Sequence, residues 1–583
     1  MALASSSLRA LGSARGADAA GWPCALPRSS AAAFASAAPH PGFASTGAVA
    51  TRATARPAVS APTAPPAISP AALAAAAADW SQQRFRVVPA AEQFRELRQK
   101  VCGEFLAGGL LYLEAGEAPP RNGSDVFHRH RSCSNFVYMT GCEQPGFAAL
   151  VDAETGHFTL LVPRLPEEAA YWVGAVPSLE QLQAQYGADS VAYTDELKAL
   201  LASRGGGRDV HALAGAGAER LKGVAPAGSR VTSDLLTACL DRCRAIKSDA
   251  EVACLLAANR ASGAAHTDMW RACRPGLREY QLEAVFSLSS RCRGAPQAGY
   301  PPIVGSGPNA GVMHYEACDG LVAGHHLVLV DAGAEWRCYT ADISRTFPAS
   351  GRFEGASRDL YGAVLAAQYA ALDVLAAPGE VTLQDADRAS RAVLLEGLLG
   401  MGLVRREAAS GSSWIEAALD LKLDRTFMPH GIGHHLGLDV HDVSDTGPVP
   451  KGPLRPGTVV TVEPGAYLIP PLLAKARADP KLAAFINLDA CDALVRQGLG
   501  GVRIEDNVVL LDPASDPVVA AAVEGMADSD MGPVGGTAGT AGLYGRLYNL
   551  TMAAGVPKEM AAVEEVMLED WRPAECMLGA PVV

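Results

Sequence analysis

Residues 326–347 read His326-Leu-Val-Leu-Val-Asp331-Ala-Gly-Ala-Glu-Trp336-Arg-Cys-Tyr-Thr-Ala-Asp342-Ile-Ser-Arg-Thr-Phe347. Leu327–Asp331 and Asp342–Phe347 have the length and composition of buried strands. With Trp336 and Arg337 as the turn of a hairpin, Asp331 would stand directly opposite Asp342. Facing residues hold their Cβ atoms about 4.5–5.5 Å apart. Two carboxylates so placed among apolar strands repel each other and lose hydration, so a cation is expected between them. The competing arrangement protonates one aspartate or neutralises the pair with Arg337 or Arg345.

Three more polar positions interrupt apolar surroundings. His434 lies in Pro429-His-Gly-Ile-Gly-His434-His-Leu-Gly437, whose glycines allow tight backbone that exposes imidazoles. Glu463 ends Val459-Val-Thr-Val-Glu463-Pro-Gly465, and Glu505 lies in Gly500-Gly-Val-Arg-Ile-Glu505-Asp-Asn507. Singly, either glutamate could be a paired core residue; for Glu505, Arg503 shares its face at period two. One shared cation site explains all five residues together. Four carboxylates and one imidazole are predominantly hard oxygen donors, which favour Mn²⁺ over a structural zinc. Four negative charges exceed what one divalent ion balances, so two ions are expected. Metals about 3.5–4 Å apart hold a bridging water and make it a nucleophile near neutral pH, which points to hydrolysis.

The surroundings of this site suggest a large two-domain protein. At 583 residues with net charge −13, the chain accommodates two or three domains. Residues 1–78 carry Arg9, Arg15, Arg28, Arg52 and Arg56 against Asp18, a net +4 that leaves −17 for the rest. An acidic body gives no electrostatic reason to expect nucleic acid or an anionic membrane surface. Residues 1–79, rich in Ala, Ser and Pro, read as a disordered organellar transit peptide, mitochondrial or chloroplast. The 13 cysteines contain no Cys-x-x-Cys pair, and Cys239 and Cys243 read as buried free thiols.

Residues 80–235 are expected to form an α/β domain, with Phe94, Leu97, Val101 and Phe105 at helical spacing before the strand Leu110–Leu113. Residues 236–513 are expected to form an α+β catalytic domain. Its helix starts at the capping box Ser248/Glu251, and strands at 327–331, 459–463 and 502–511 alternate with long helices. Residues 514–555 read as a disordered insertion or linker. Residues 556–583 read as a docked helix, with Pro557 at its first turn, and a tail.

The two aspartates eleven apart, Phe427-Met-Pro-His-Gly-Ile-Gly-His434, Asp439-Val-His-Asp442, Thr461-Val-Glu-Pro-Gly465 and Gly500-Gly-Val-Arg-Ile-Glu505 resemble the metal-site motifs of the pita-bread metallopeptidases. Val162-Pro-Arg-Leu-Pro166, Arg274-Pro-Gly-Leu-Arg-Glu-Tyr-Gln-Leu-Glu283, Gly305-Ser-Gly307 with Met313-His-Tyr315, and the long segment 467–500 are most similar to the prolidases, the Xaa-Pro dipeptidases. The resemblance implies a creatinase/prolidase-like N-terminal domain and a pita-bread catalytic domain. It implies that Asp331, Asp342, His434, Glu463 and Glu505 bind two divalent metals, with Asp342 and Glu505 bridging, and that Glu463 also accepts a proton from the attacking water. His314 and His441 would face the substrate, Arg503 and His430 would steady the site, and the protein would be a homodimer. His435 is expected to point away, and His128, His130, His325 and His326 are read as structural or exposed.

One stretch departs from the prolidases. Residues 444–457 are short and hold no clear counterpart of the arginine that clamps the free carboxylate of a dipeptide; Lys451 and Arg455 are the substitutes at hand. A lysine lacks the planar bidentate fork. The alternative is aminopeptidase P-type release of the residue before proline from longer peptides. A non-catalytic pita-bread peptide-binding protein is the alternative of another class, against which the retention of all five ligands speaks. Methionine aminopeptidase, which shares the ligands, lacks the large N-terminal domain.

Overall fold

A computed structural model describes residues 81–573 except 83, 407–413, 444–451, 517–518 and 521–541. The expected transit segment and Lys451 lie outside the described residues.

Alternation of apolar residues builds the N-terminal sheet. Its strands run in the order Ser190–Tyr193, Phe158–Val162, Ala148–Asp152, Leu110–Glu114, Val210–Ala212, Val231–Thr232. Leu111, Leu113, Ala149 and Leu160 bury on one face with Phe94, Leu97 and Val101 of the helix Ala90–Glu104. Leu110, Tyr112, Leu150 and Leu161 bury on the other with Leu197 and Leu201 of the helix Leu197–Gly205. Both faces are covered, so these strands are mostly apolar, with Thr159 and His211 as buried polar positions.

The catalytic half begins with the capped helix Asp249–Ala272, where Ser248 and Glu251 form the expected reciprocal box, followed by Glu279–Cys292. Gly355–Ala376 and Leu383–Gly400 pack beside small antiparallel sheets. One sheet pairs Leu327–Asp331 with both Ser344–Pro348 and Ile303–Ser306. Another pairs Asp506–Leu510 with Val459–Val462 and Leu547–Asn549.

The turn of the aspartate hairpin lies one residue later than expected, which shifts the strand pairing by two residues. Arg337 and Cys338 form the turn, with φ of 50° and 63°, and Trp336 pairs with Tyr339. Two successive left-handed residues are type I′ geometry, whose twist matches the strands. Ser344, not Asp342, therefore faces Asp331, and Asp342 is its diagonal neighbour on the same face. At Gly333 an added Cβ would fall 1.8 Å from the carbonyl oxygen of Ala341, so only glycine permits this close approach. Neither neighbouring arginine neutralises the aspartates: Arg337 donates to the carbonyl of Val88, and Arg345 pairs with Asp506.

The apolar run 502–511 is also two strands, Gly501–Arg503 and Asp506–Leu510, paired to different partners. Ile504 and Glu505 form the break. The expected irregular segment 514–555 contains the paired strands Leu543–Tyr544 and Leu547–Asn549 and the helical turn Leu550–Ala553. Buried Leu547, Tyr548 and Leu550 explain why this part is ordered. The terminal helix runs Met560–Leu568, so Pro557 precedes it rather than opening it; the Pro557 carbonyl accepts instead from Arg345 Nε at 3.0 Å.

Candidate active site

Each proposed carboxylate ligand sits at or near the end or break of a strand. Asp331 closes its strand, Asp342 lies two residues before Ser344–Pro348, and Glu463 follows Val459–Val462 directly, ahead of a proline that has no N–H to continue the ladder. Glu505 occupies the break between its two strands. His434 is held by backbone bonds to Thr461: its amide donates to Thr461 Oγ1 at 3.0 Å, and its carbonyl accepts from the Thr461 amide at 2.9 Å. In Gly433 an added Cβ would meet the Thr461 carbonyl oxygen at 2.0 Å, which accounts for the glycine before the ligand.

These elements bring all five residues together. Asp342, His434 and Glu505 offer one ligand atom each within 4.8 Å of one another. His434 Nε2 lies 3.3 Å from Asp342 Oδ2 and 3.6 Å from Glu463 Oε1. Tyr300 Oη reaches both aspartates, at 2.7 Å from Asp331 Oδ1 and 2.6 Å from Asp342 Oδ1. Asn507 fixes the Asp342 backbone, accepting its amide at 3.0 Å and donating to its carbonyl.

The electrostatics are those of crowded, buried acids. Burial, and then the neighbouring carboxylates Asp342, Glu463 and Asp331, hold the Glu505 carboxyl well above the ordinary range. Burial raises Glu463 to about 7, against the pull of His434 and Arg503. Burial and Asp342 raise Asp331 despite Arg503. Burial would lower the pKa of His434, but Asp342 and Glu463 outweigh it and bring it to about 9. The His434 Nδ1–H donates to the carbonyl of His435 at 3.0 Å, which turns the Nε2 lone pair toward the acids when the ring is neutral. An oxygen-rich set with one such nitrogen fits divalent metal.

Arg503 steadies this cluster and is buried. Its Nη2 donates to Asp331 Oδ2 at 2.6 Å, Nη1 to Tyr467 Oη at 2.9 Å and Nε to Ser344 Oγ at 2.8 Å. Ser344 Oγ in turn donates to Glu505 Oε2 at 2.6 Å. The expected Arg503–Glu505 pairing is thus indirect, because the break at Ile504 turns the two side chains to different neighbours. His430 Nδ1 donates to the Gly431 carbonyl at 2.7 Å, so its Nε2 accepts from Tyr467 Oη at 3.0 Å. Burial and Arg503 lower His430 to about 4, keeping it neutral.

His441 and His314 are exposed at the site's open side. The His441 ring meets His434 edge-on at 4.3 Å, and burial, His434 and His314 together lower its pKa. His435 is buried, its backbone bridged to Val460. Tyr300, Ser344, Tyr467 and Asn507 were not legible as site residues; Ser344 lies in the aspartate stretch, Tyr467 at the head of the segment 467–500 and Asn507 in the Gly500–Asn507 motif, whereas Tyr300 lies in none of them.

Residues 253–512 match the model of metallopeptidase family M24, and residues 94–212 match the aminopeptidase P N-terminal domain. The chain is 34% identical over 471 residues to a Homo sapiens Xaa-Pro dipeptidase, covering 75% of this chain and 92% of the relative. It is 34% identical over 432 residues to a probable Xaa-Pro aminopeptidase of Verticillium alfalfae, covering 72% and 91%. Among solved structures, Pseudomonas aeruginosa aminopeptidase PepP superposes with a TM-score of 0.65 at 28% identity over 83% of this chain and 98% of its own. Zinc-substituted Escherichia coli aminopeptidase P in complex with product gives 0.65 at 25% identity, covering 83% and 99%.

Proposed function

The chain belongs to metallopeptidase family M24, and from that premise we propose that it hydrolyses the peptide bond that precedes proline in the second position of a substrate. The observation that carries this reading is the convergence of Asp331, Asp342, His434, Glu463 and Glu505 on one cluster. The relatives named as Xaa-Pro peptidases cover nearly their whole length and supply the substrate class.

Asp331, Asp342, His434, Glu463 and Glu505 would hold two divalent ions, Mn²⁺ by their donor chemistry. When bound, these ions activate water and polarise the scissile carbonyl. Glu463 accepts a proton from the attacking water and returns it to the departing proline nitrogen as the C–N bond breaks. His314 and His441, on the open side, donate hydrogen bonds to the substrate and to the oxygen that gains charge. Arg503, Tyr467 and neutral His430 keep the acids in place through the bonds described above.

Xaa-Pro dipeptides are the first substrate choice. The second reading, release of the first residue from longer peptides, draws support from the short stretch 444–457, which holds no clear counterpart of a dipeptide-clamping arginine. The test is Mn²⁺-reconstituted protein offered Gly-Pro and a longer Xaa-Pro-Xaa peptide. Cleavage of the longer peptide alone moves the assignment to an aminopeptidase, and cleavage of neither removes the peptidase reading.

We also propose a homodimer, supported by exposed Tyr171 and Trp172 on the N-terminal domain; a monomer in sedimentation would refute it. Residues 1–79 are proposed to direct the protein to a mitochondrion or chloroplast, on their Arg-bearing, acid-poor composition. A fluorescent fusion that stays cytosolic would refute that. Among the described residues no helix is long and apolar enough to cross a membrane.

A further inference from the structure

A cavity of about 690 Å³ opens on the N-terminal domain, away from the metal-ligand cluster in sequence and lined by Arg95, Arg98, Arg204 and His157 among others. None of the three arginines makes an ion pair with a described residue. Arg98 is only 4% exposed and stacks over the Phe158 ring at 4.3 Å. Its guanidinium donates to two carbonyls, of Met139 at 3.0 Å and Gly187 at 3.2 Å, each at the end of a short helix. Those partial charges compensate it only in part: burial lowers it to about 10 despite Asp189.

Arg204 has hydroxyls alone as partners, Thr159 Oγ1 at 2.5 Å and Ser190 Oγ at 3.3 Å. Ser190 Oγ also meets His157 Nε2 at 3.1 Å and Thr159 Oγ1 at 2.9 Å, so the wall is a prebuilt polar network. Asp152 and Asp189 also line the cavity, and each has its hydrogen bond with a group other than Arg95, Arg98 or Arg204. Asp152 is bonded by Arg208 at 2.7 Å, and Asp189 accepts the Phe158 amide at 2.8 Å. Arg98 is buried, Arg204 half-buried and Arg95 exposed; guanidinium groups without a bonded carboxylate seek an anion, and the planar fork suits phosphate oxygens. The volume falls within the range of small-molecule pockets, about 300–1,000 Å³.

We propose that this cavity is a binding site for the phosphate group of a small soluble molecule, with Arg95 and Arg204 as its principal ligands. A phosphate ester and free inorganic phosphate share that chemistry, and the volume favours the ester. The test is calorimetric titration of the full-length, Mn²⁺-loaded protein with adenosine monophosphate, inorganic phosphate and adenosine. Both phosphates should bind and adenosine should not. Tighter binding of the monophosphate identifies an ester site, and equal binding identifies free phosphate as the ligand.

Arg95→Gln with Arg204→Gln should weaken binding by about tenfold or more while Xaa-Pro turnover stays unchanged. If the double variant does not fold, Arg95→Gln alone, at an exposed position, should still weaken it. Asp342→Asn should leave phosphate binding intact, which separates this cavity from the metal cluster. Absence of phosphate binding, indifference to the arginine substitutions, or loss of binding in Asp342→Asn would each overturn the proposal.

Discussion

Arg503 Nη2 donates to Asp331 Oδ2 at 2.6 Å, making a buried arginine, rather than the arginines of the aspartate hairpin, the counter-charge of that acid. The same guanidinium holds Tyr467 and, through Ser344, Glu505. Arg503→Lys keeps the charge but cannot reproduce three divergent bonds. Loss of such supporting partners typically costs 10–100-fold in metal affinity or activity. Arg503→Lys should therefore bind Mn²⁺ about 10–100-fold more weakly, read by metal content against free Mn²⁺. Wild-type affinity in a folded variant would assign Arg503 no positioning role.

Tyr300 Oη lies between Asp331 and Asp342 and carries one proton for two acceptors. It eases the crowding of acids when no cation is present. Tyr300→Phe should destabilise the metal-free protein by about 1–3 kcal/mol, the cost of leaving a buried polar group without its partner. The rise in Tm on adding Mn²⁺ should then be larger in the variant than in the wild type. An equal or smaller rise contradicts this role.

These two residues also mark what the sequence could and could not reveal. His434 and Glu463 were legible because each is a polar residue in a local apolar or glycine-bearing motif. Tyr300 reaches Asp331 from 31 residues upstream by tertiary packing, and no local pattern encodes that meeting. The hairpin register was misread because type I′ turns are signalled by Asn or Gly, and this one uses Arg337 and Cys338. Domain order and the long helices followed from composition and apolar period, whereas the strand break at Glu505 did not, since Val502 and Ile504 before it and residues 508–511 after it read as one strand.

His266 is fully buried, with Nε2 donating to the Ala332 carbonyl at 2.9 Å, and burial lowers its pKa from 6.5 to about 4. The unfolded chain takes up a proton below pH 6.5 that the folded protein refuses until about pH 4. Stability contributed by neutral His266 is thus full above 6.5 and declines as pH falls through that window, by roughly 3 kcal/mol at its foot. His266→Gln preserves a donor to Ala332 without titrating. Urea unfolding of metal-free wild type and variant at pH 7 and pH 4.5 should show the smaller acid loss in His266→Gln. Parallel losses would remove His266 from the pH response.

The C-terminal segment should be inseparable from the catalytic cluster. Lys558 Nζ donates to Asp506 Oδ2 at 2.7 Å, and Arg345 Nη2 donates to Asp506 Oδ1 at 2.7 Å, all three side chains being buried. Arg345 also donates to the Glu505 carbonyl at 2.7 Å, so this charge triad grips the backbone of Glu505, proposed above as a metal ligand. Burial raises the cost of ionising Asp506, yet Lys558 and Arg345 hold its carboxyl well below the usual range. Removing one partner from a buried charge network costs about 3–5 kcal/mol because the remaining charge loses compensation. Asp506→Asn, which strands both Lys558 and Arg345, should lower the urea unfolding free energy by that amount, and adding Lys558→Met, which leaves Arg345 as the one uncompensated cation of the triad, should recover part of it. If the double variant is less stable than Lys558→Met by the full cost of Asp506→Asn alone, the two residues do not act as a pair.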